Sequence, residues 1–171
     1  MPHLFTVTHP ERITPLGKLV QRTSVRAVVA DGDDLLMLYT RRYDDYSFPG
    51  GGLAEGEEIE ACLLRELKEE TGAATIDIQR YLGYVDEWRP DRRGSDNTMI
   101  MRSHFYACAV SRILGVSTPE DYELANGMSA VWINKHTALQ HNQALLAGRP
   151  DTMGLSIYRE TEMLRYLLSQ R

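Results

Sequence analysis

An α/β fold, arranged as an α/β/α sandwich, is what the order of elements in this 171-residue chain predicts. Three observations carry the prediction. β-Branched and apolar runs recur at 23–30, 35–41, 98–110 and 128–133. A glutamate-rich helical pattern interrupts them at 57–71. Two more helical segments follow the last strand. The length suits one domain, 1–171, with 1–21 as a candidate N-terminal arm.

The elements follow in order. Leu4-Phe5-Thr6-Val7 reads as an edge strand or a wrapping arm, ahead of Pro10 and Pro15. Thr23–Ala30 is a strand, and Asp31-Gly32-Asp33-Asp34 is a hairpin turn signalled by Asp-Gly. Leu35–Arg41 is the return strand. Arg42 then leads into a polar loop, Tyr43-Asp44-Asp45-Tyr46. Phe48-Pro49-Gly50-Gly51-Gly52 cannot be helix or ordinary strand. Glu57–Thr71 is a helix closed by Gly72. Ala74–Trp88 is one or two strands, and Arg89–Asn97 a charged loop. Thr98–Val110 is a long strand expected at the centre of the sheet, and Pro119–Gly127 an acidic connection. Met128–Ile133 is the last strand. A helix from Asn134 to Ala147 follows, then an amphipathic one over Gly154–Gln170.

Composition narrows the function. A net charge of −5 argues against a protein that grips nucleic acid by its backbone. It does not argue against a nucleotide, because a bound metal supplies positive charge. No nucleic acid polymer is therefore expected as a partner. Cys62 and Cys108 are expected to be buried and reduced, as in a cytoplasmic protein. The N-terminus lacks the pattern of a signal peptide. No apolar run has the length of a membrane span.

The chemistry concentrates in GGLAEGEEIEACLLRELKEETGA, residues 51–73. Residues three and four apart share a helix face, so Glu66 lies beside Glu69 and Glu70. Leu63, Leu64 and Leu67 fall on the neighbouring arc, where they can face a core. Like charges on one face repel unless a cation sits among them. Hard oxygen ligands suit magnesium, calcium or manganese. The preceding glycines allow close backbone approach, and a helix N-terminus favours anions. An anion site beside a cation site is what a metal-bound diphosphate needs.

Gly51, Glu57, Arg65, Glu66, Leu67, Glu69, Glu70, Gly72 and Ala73 resemble, position by position, the box of the Nudix hydrolases. That resemblance implies a mixed sheet between helices. It also implies a metal-dependent, MutT-like pyrophosphohydrolase acting on a nucleoside diphosphate linked to X, either a nucleoside triphosphate or a nucleotide sugar. It carries metal binding to Glu66, Glu69 and Glu70, joined by the Gly50 carbonyl, with Mg2+ as the cofactor and Mn2+ as the substitute. Arg65 is expected to orient a box carboxylate through a bidentate contact. Gly51 and Gly52 are candidate substrate contacts. Arg41 and Arg42 are read either as phosphate contacts or as solvated loop charge.

The general base is either Glu66 or a carboxylate of the downstream loop, where Glu123 is preferred over Glu120 and Asp121 because it lies nearest the strand carrying Trp132. A solvated acidic loop is the alternative. His104 reads as a core residue. Trp88, Tyr84 and Trp132 read as core aromatics of which one could stack on a base. Two other classes compete with the hydrolase. One is a catalytically silent module that binds nucleotides. The other is an isomerase of the same fold, which would need a reactive cysteine, and neither Cys62 nor Cys108 looks poised. The family also implies a homodimer.

Overall fold

The computed structural model describes residues 1–10, 17–91 and 97–170. Pro15 of the candidate arm and residues 92–96 of the charged loop lie outside the described residues. Eleven elements run in the order β1 (His3–Thr8), β2 (Leu19–Asp31), β3 (Asp34–Thr40), β4 (Asp45–Ser47), α1 (Ile59–Thr71), β5 (Ile76–Pro90), β6 (Thr98–Val110), α2 (Asp121–Asn126), β7 (Met128–Asn134), α3 (Lys135–Gly148) and α4 (Ile157–Ser169). The strands form one seven-stranded sheet in the order β1-β5-β6-β2-β3-β4, with β7 also paired to β3. It is mixed: β1–β5 and β2–β6 are parallel, and the remaining pairs are antiparallel.

Alternation along the strands builds two cores. Successive residues of a strand point to opposite faces. Val25, Ala27, Val29 and Leu36 therefore meet Cys62, Leu63 and Leu67 of α1 on one face. Val28, Leu35, Met37, Val85 and Phe105 meet Ala138 of α3 and Met163 and Leu164 of α4 on the other. This is the expected α/β/α sandwich. β6 lies inside the sheet, as its long apolar run predicts. Gly32, at φ 61°, makes the turn between β2 and β3. No helix of the described residues is long and apolar enough to cross a membrane.

Local boundaries differ in five places. Helix α1 begins at Ile59, with extended Glu58 as its N-cap, because Glu57 is turned back to receive the Ala54 N–H. Leu64 is 39% exposed rather than core. The buried stripe of α1 is Cys62, Leu63, Glu66, Leu67, Glu70 and Thr71, and Leu64 falls outside it. Asp45–Ser47, inside the expected polar loop and its edge, pairs with Leu38–Thr40 as a short strand. Arg89 and Pro90 end β5 instead of opening a loop. The acidic connection contains helix α2, in which the Glu120 N–H donates to Glu123 Oε2 at 2.7 Å. Six residues give too little periodicity for a sequence pattern to register.

Candidate active site

The Gly50–Gly52 turn lies along the middle of β2. The Ala27 and Val25 N–H groups donate to the Pro49 and Gly51 carbonyls, at 2.8 and 2.9 Å. Gly50 adopts φ 136°, and a Cβ there would lie 2.0 Å from the Val25 carbonyl oxygen. A Cβ on Gly51 would lie 2.2 Å from Glu66 Oε1. Both glycines are thus required by packing: one to pass β2, the other to admit a carboxylate. The Gly50 N–H donates to Glu70 Oε2 at 2.7 Å, which ties the turn to α1. Gly52 forms an isolated antiparallel bridge with Ser24.

Arg65 organises the exposed side of the box. Its Nε and Nη2 fork onto both oxygens of Glu57, at 2.9 and 3.1 Å. Its Nη1 reaches Glu66 Oε1 at 2.9 Å and Glu69 Oε2 at 3.3 Å. The fork is the bidentate contact expected, and Glu57 is the carboxylate it orients. The bond from Arg65 holds the Glu57 carboxyl down at about 2.

Glu66, Glu70 and Glu123 converge. Each offers an oxygen, and these oxygens all lie within 4.8 Å of one another. All three residues are buried. Helix periodicity brings the first two together, because they are one turn apart on α1. The third comes from α2, which is clamped to the end of β3. The Arg41 N–H donates to the Gly127 carbonyl, the Arg42 N–H to the Asn126 carbonyl, and Arg42 Nη1 to Asn126 Oδ1 at 3.0 Å. Arg41 and Arg42 are exposed, and Arg42 lies over the Tyr43 ring. Glu69, expected among the metal ligands, is not part of this group; its side chain turns to Arg65.

The electrostatics ask for a cation. Burial pushes the Glu70 carboxyl well above its ordinary value, against the pull of Arg26 and the Gly50 N–H. Burial also raises Glu66, against Arg65. Three clustered carboxylate oxygens of this kind suit a hard divalent ion. A cation placed among them would favour their ionised forms. The donor set therefore fits a magnesium- or manganese-type ion.

Arg26 was not singled out by the sequence, yet it faces Glu70, Glu66 and Glu160. Its Nε is out of solvent and without a hydrogen-bond partner. The signal was a lone charge within the apolar run TSVRAVVA. His104 is buried and bonded to the Tyr81 hydroxyl at 2.8 Å, as a core residue should be. Trp132 donates to the Arg112 carbonyl and lies under its guanidinium. Trp88 is 37% exposed, not core. The Cys62 and Cys108 thiols are buried, and burial pushes both up to about 12, which leaves neither nucleophilic.

Beside Glu123 lies a cavity of about 130 Å³, lined by Tyr43, Asp45, Ser47 and Tyr122 among others. Asp45 is 3% exposed. Burial first, then Glu160 and Asp44, raise its carboxyl from 3.8 to about 7. Between those two values the folded chain holds a proton that the unfolded chain has lost. This contribution to stability is therefore full below the unfolded value and is lost as pH rises through the folded one. Asp45→Asn is expected to flatten that decline and to raise stability at pH 8 by about 2 to 4 kcal/mol. Urea midpoints at pH 5 and pH 8 measure it; equal pH dependence in the two proteins would reject the assignment.

Comparison with known proteins places these residues in a family. A model of the NUDIX domain matches residues 20–149. An RNA pyrophosphohydrolase of Hydrogenovibrio crunogenus is 35% identical over 68 residues, 39% of this chain and 41% of that protein. An RNA pyrophosphohydrolase of Teredinibacter turnerae is 39% identical over 61 residues, 34% of this chain and 35% of that protein. The match thus spans less than half the length of these two relatives. A NUDIX hydrolase from Nitrosomonas europaea shares the fold, with a TM-score of 0.57 at 19% identity over 85% of this chain and 88% of that one.

Proposed function

Because the chain belongs to the NUDIX domain family, we propose that it is a metal-dependent pyrophosphohydrolase that cleaves a nucleoside diphosphate linked to X. The observation that carries this reading is the buried trio Glu66, Glu70 and Glu123 beside the Gly50–Gly51 turn. Glu66 and Glu70 hold the cation, with the Gly50 carbonyl available beside them. A bound magnesium ion supplies charge neutralisation at the diphosphate oxygens and acidifies a water. Glu123 accepts the proton of the attacking water. Its placement supports that role: α2 delivers it to the cluster, and the Glu120 N–H and the Tyr122 hydroxyl fix its two oxygens. Arg65 keeps Glu66 and Glu57 in place through its fork. Glu69 serves as a brace for Arg65.

The names of the curated relatives favour one form of substrate, an RNA chain whose 5′-terminal nucleoside carries the diphosphate. A nucleoside triphosphate and a nucleotide sugar are the small-molecule forms. The test is product release from nucleoside triphosphates, nucleotide sugars and a 5′-triphosphorylated oligonucleotide, with magnesium and with chelator. Turnover of one class, abolished by chelator, is expected. Turnover that survives chelator would remove the metal mechanism. Magnesium binding without turnover of any compound would leave a silent nucleotide-binding module.

A further inference from the structure

A second set of charges occupies the α4 side of the sheet. Arg22 on β2 is in register with Met101 on β6, Met101 with Glu87 on β5, and Met99 with Arg89. Because side chains alternate with period two, Arg22, Arg26, Glu87 and Arg89 stand on one face. Helix α4 covers part of this face through Arg159, which binds Glu87 and Ser103 at 3.1 and 3.2 Å. Beyond α4 no other helix among the described residues covers this part of the face. A cavity of about 140 Å³ there is lined by Arg22, Arg89, Met99, Met101 and Leu155, with Asp91 as its carboxylate. A second cavity, of about 310 Å³, shares Arg89 and Leu155 and reaches Tyr43. Tyr43 in turn lines the small cavity that contains Glu123. The three cavities are linked by shared lining residues, Arg89 and Leu155 between the first two and Tyr43 and Ser156 between the last two, with Arg22 lining one end of the series and Glu123 the other.

The guanidinia along this path are poorly matched. Arg89 lies 3.9 Å from Glu87, a carboxylate already taken by Arg159, and its Nη2 is directed at Met99 Sδ at 3.7 Å. Its side chain is only 16% exposed, so water compensates it only in part. Arg26 Nε is buried without a partner. Arg22 has no hydrogen bond or ion pair among the described residues. Burial lowers the Arg89 pKa, and Arg159, Arg26 and Arg22 lower it further. Such an arrangement gains from an anion that accepts from several guanidinium forks at once. A phosphate group does so, with its multiple oxygens and its charge.

We propose that this cleft is an anion subsite in which Arg22 and Arg89 grip a phosphate group of the substrate, separate from the diphosphate at the carboxylate trio, with Arg26 between the two. The subsite extends the pyrophosphohydrolase reading and rests on it for the identity of the ligand. The phosphate comes either from the next nucleotide of an oligonucleotide or from a phosphorylated small X group.

Two arms test it. In the first, thermal unfolding is followed with inorganic phosphate against chloride at constant ionic strength, in chelator, so that no metal binds the anion. Phosphate is expected to raise the melting temperature of the unaltered chain. Arg22→Gln and Arg89→Gln are expected to weaken phosphate binding by about tenfold or more, the effect of losing one charge-assisted contact. Arg80→Gln, an exposed arginine elsewhere on β5, controls for net charge. The Arg22 side chain has no hydrogen bond or ion pair with another described residue, so its variant disturbs folding least and best separates anion binding from folding. A phosphate response that is absent, or equal in all four proteins, overturns the subsite. In the second arm, KM is compared for a 5′-triphosphorylated dinucleotide, a mononucleotide triphosphate and a nucleotide linked to a phosphorylated sugar. A rise of about tenfold in Arg22→Gln for the dinucleotide alone assigns the phosphate to the next nucleotide. A rise for the phosphorylated sugar alone assigns it to X. Unchanged KM for all three overturns the substrate role. If nothing is turned over, the hydrolase reading fails, and the phosphate arm still decides the cleft.

Discussion

Replacing Glu70 by Gln is expected to lower magnesium-dependent turnover by about a thousandfold or more. The isostere keeps the shape of the side chain and can still accept from the Gly50 N–H, so the turn should hold its place. What it removes is a charge that is 4% exposed and one of three within 4.8 Å. Losing a divalent ion's charge stabilisation is worth several kcal/mol, and about 4 kcal/mol is a thousandfold in rate. The measurement is kcat across a magnesium titration, with magnesium affinity from calorimetry. Activity within tenfold of the unaltered protein at saturating magnesium would remove Glu70 from the metal site. Because Gln is uncharged, the raised Glu70 carboxyl no longer has to be ionised, and the variant is expected to be at least as stable to urea. Loss of activity together with gain of stability is the signature of a charge kept for function.

Arg159→Leu is expected to cost about 3 to 5 kcal/mol of folding stability, the range for removing one partner of a buried ion pair. Arg159 is 1% exposed and sits against two buried carboxylates, Glu87 and Glu160. Glu160 Oε2 also accepts the Phe48 N–H, at 3.2 Å, so this network reaches the strand that leads into the Gly50 turn. With Arg159 gone, Arg89 at 3.9 Å is the one cation left in an ion pair with Glu87 among the described residues. The penalty comes from stranded charges rather than from lost attraction. Adding Glu87→Gln and Glu160→Gln should therefore restore at least half of the loss. Urea midpoints of the single and triple variants measure it. A loss below about 1 kcal/mol in the single variant would mean that water reaches the network and screens it.

Much of the fold could be read along the chain. The four main strand runs, the Asp-Gly turn, the box helix with its glycine cap and the two terminal helices all lie within a few residues of where pattern placed them. Each follows from a local rule. The errors fall where local rules compete with contacts from elsewhere. Glu57 has the propensity to continue a helix, but Arg65 and the Ala54 N–H hold it outside. Leu64 is as apolar as Leu63, but its position on α1 turns it toward solvent. Helix α2 is too short to show a period, and its C-terminal end is fixed by Arg41 and Arg42 across space.

The site divides in the same way. The sequence by itself determined that Glu66 and Glu70 share a face, since a helix repeats every 3.6 residues, and that glycines precede them. It also determined that Arg65 has carboxylates within reach. Only the tertiary structure decided which carboxylates converge. Arg65 reaches Glu69 as well as Glu57 and Glu66, and it is Glu123, distant in the chain, that completes the trio. Only the sheet register sets Arg22 and Arg89 on one face with Arg26. Helix geometry is fixed by neighbouring residues, so it is legible in sequence. The partner a charge meets across the fold is fixed by strand order and register, which no local spacing records.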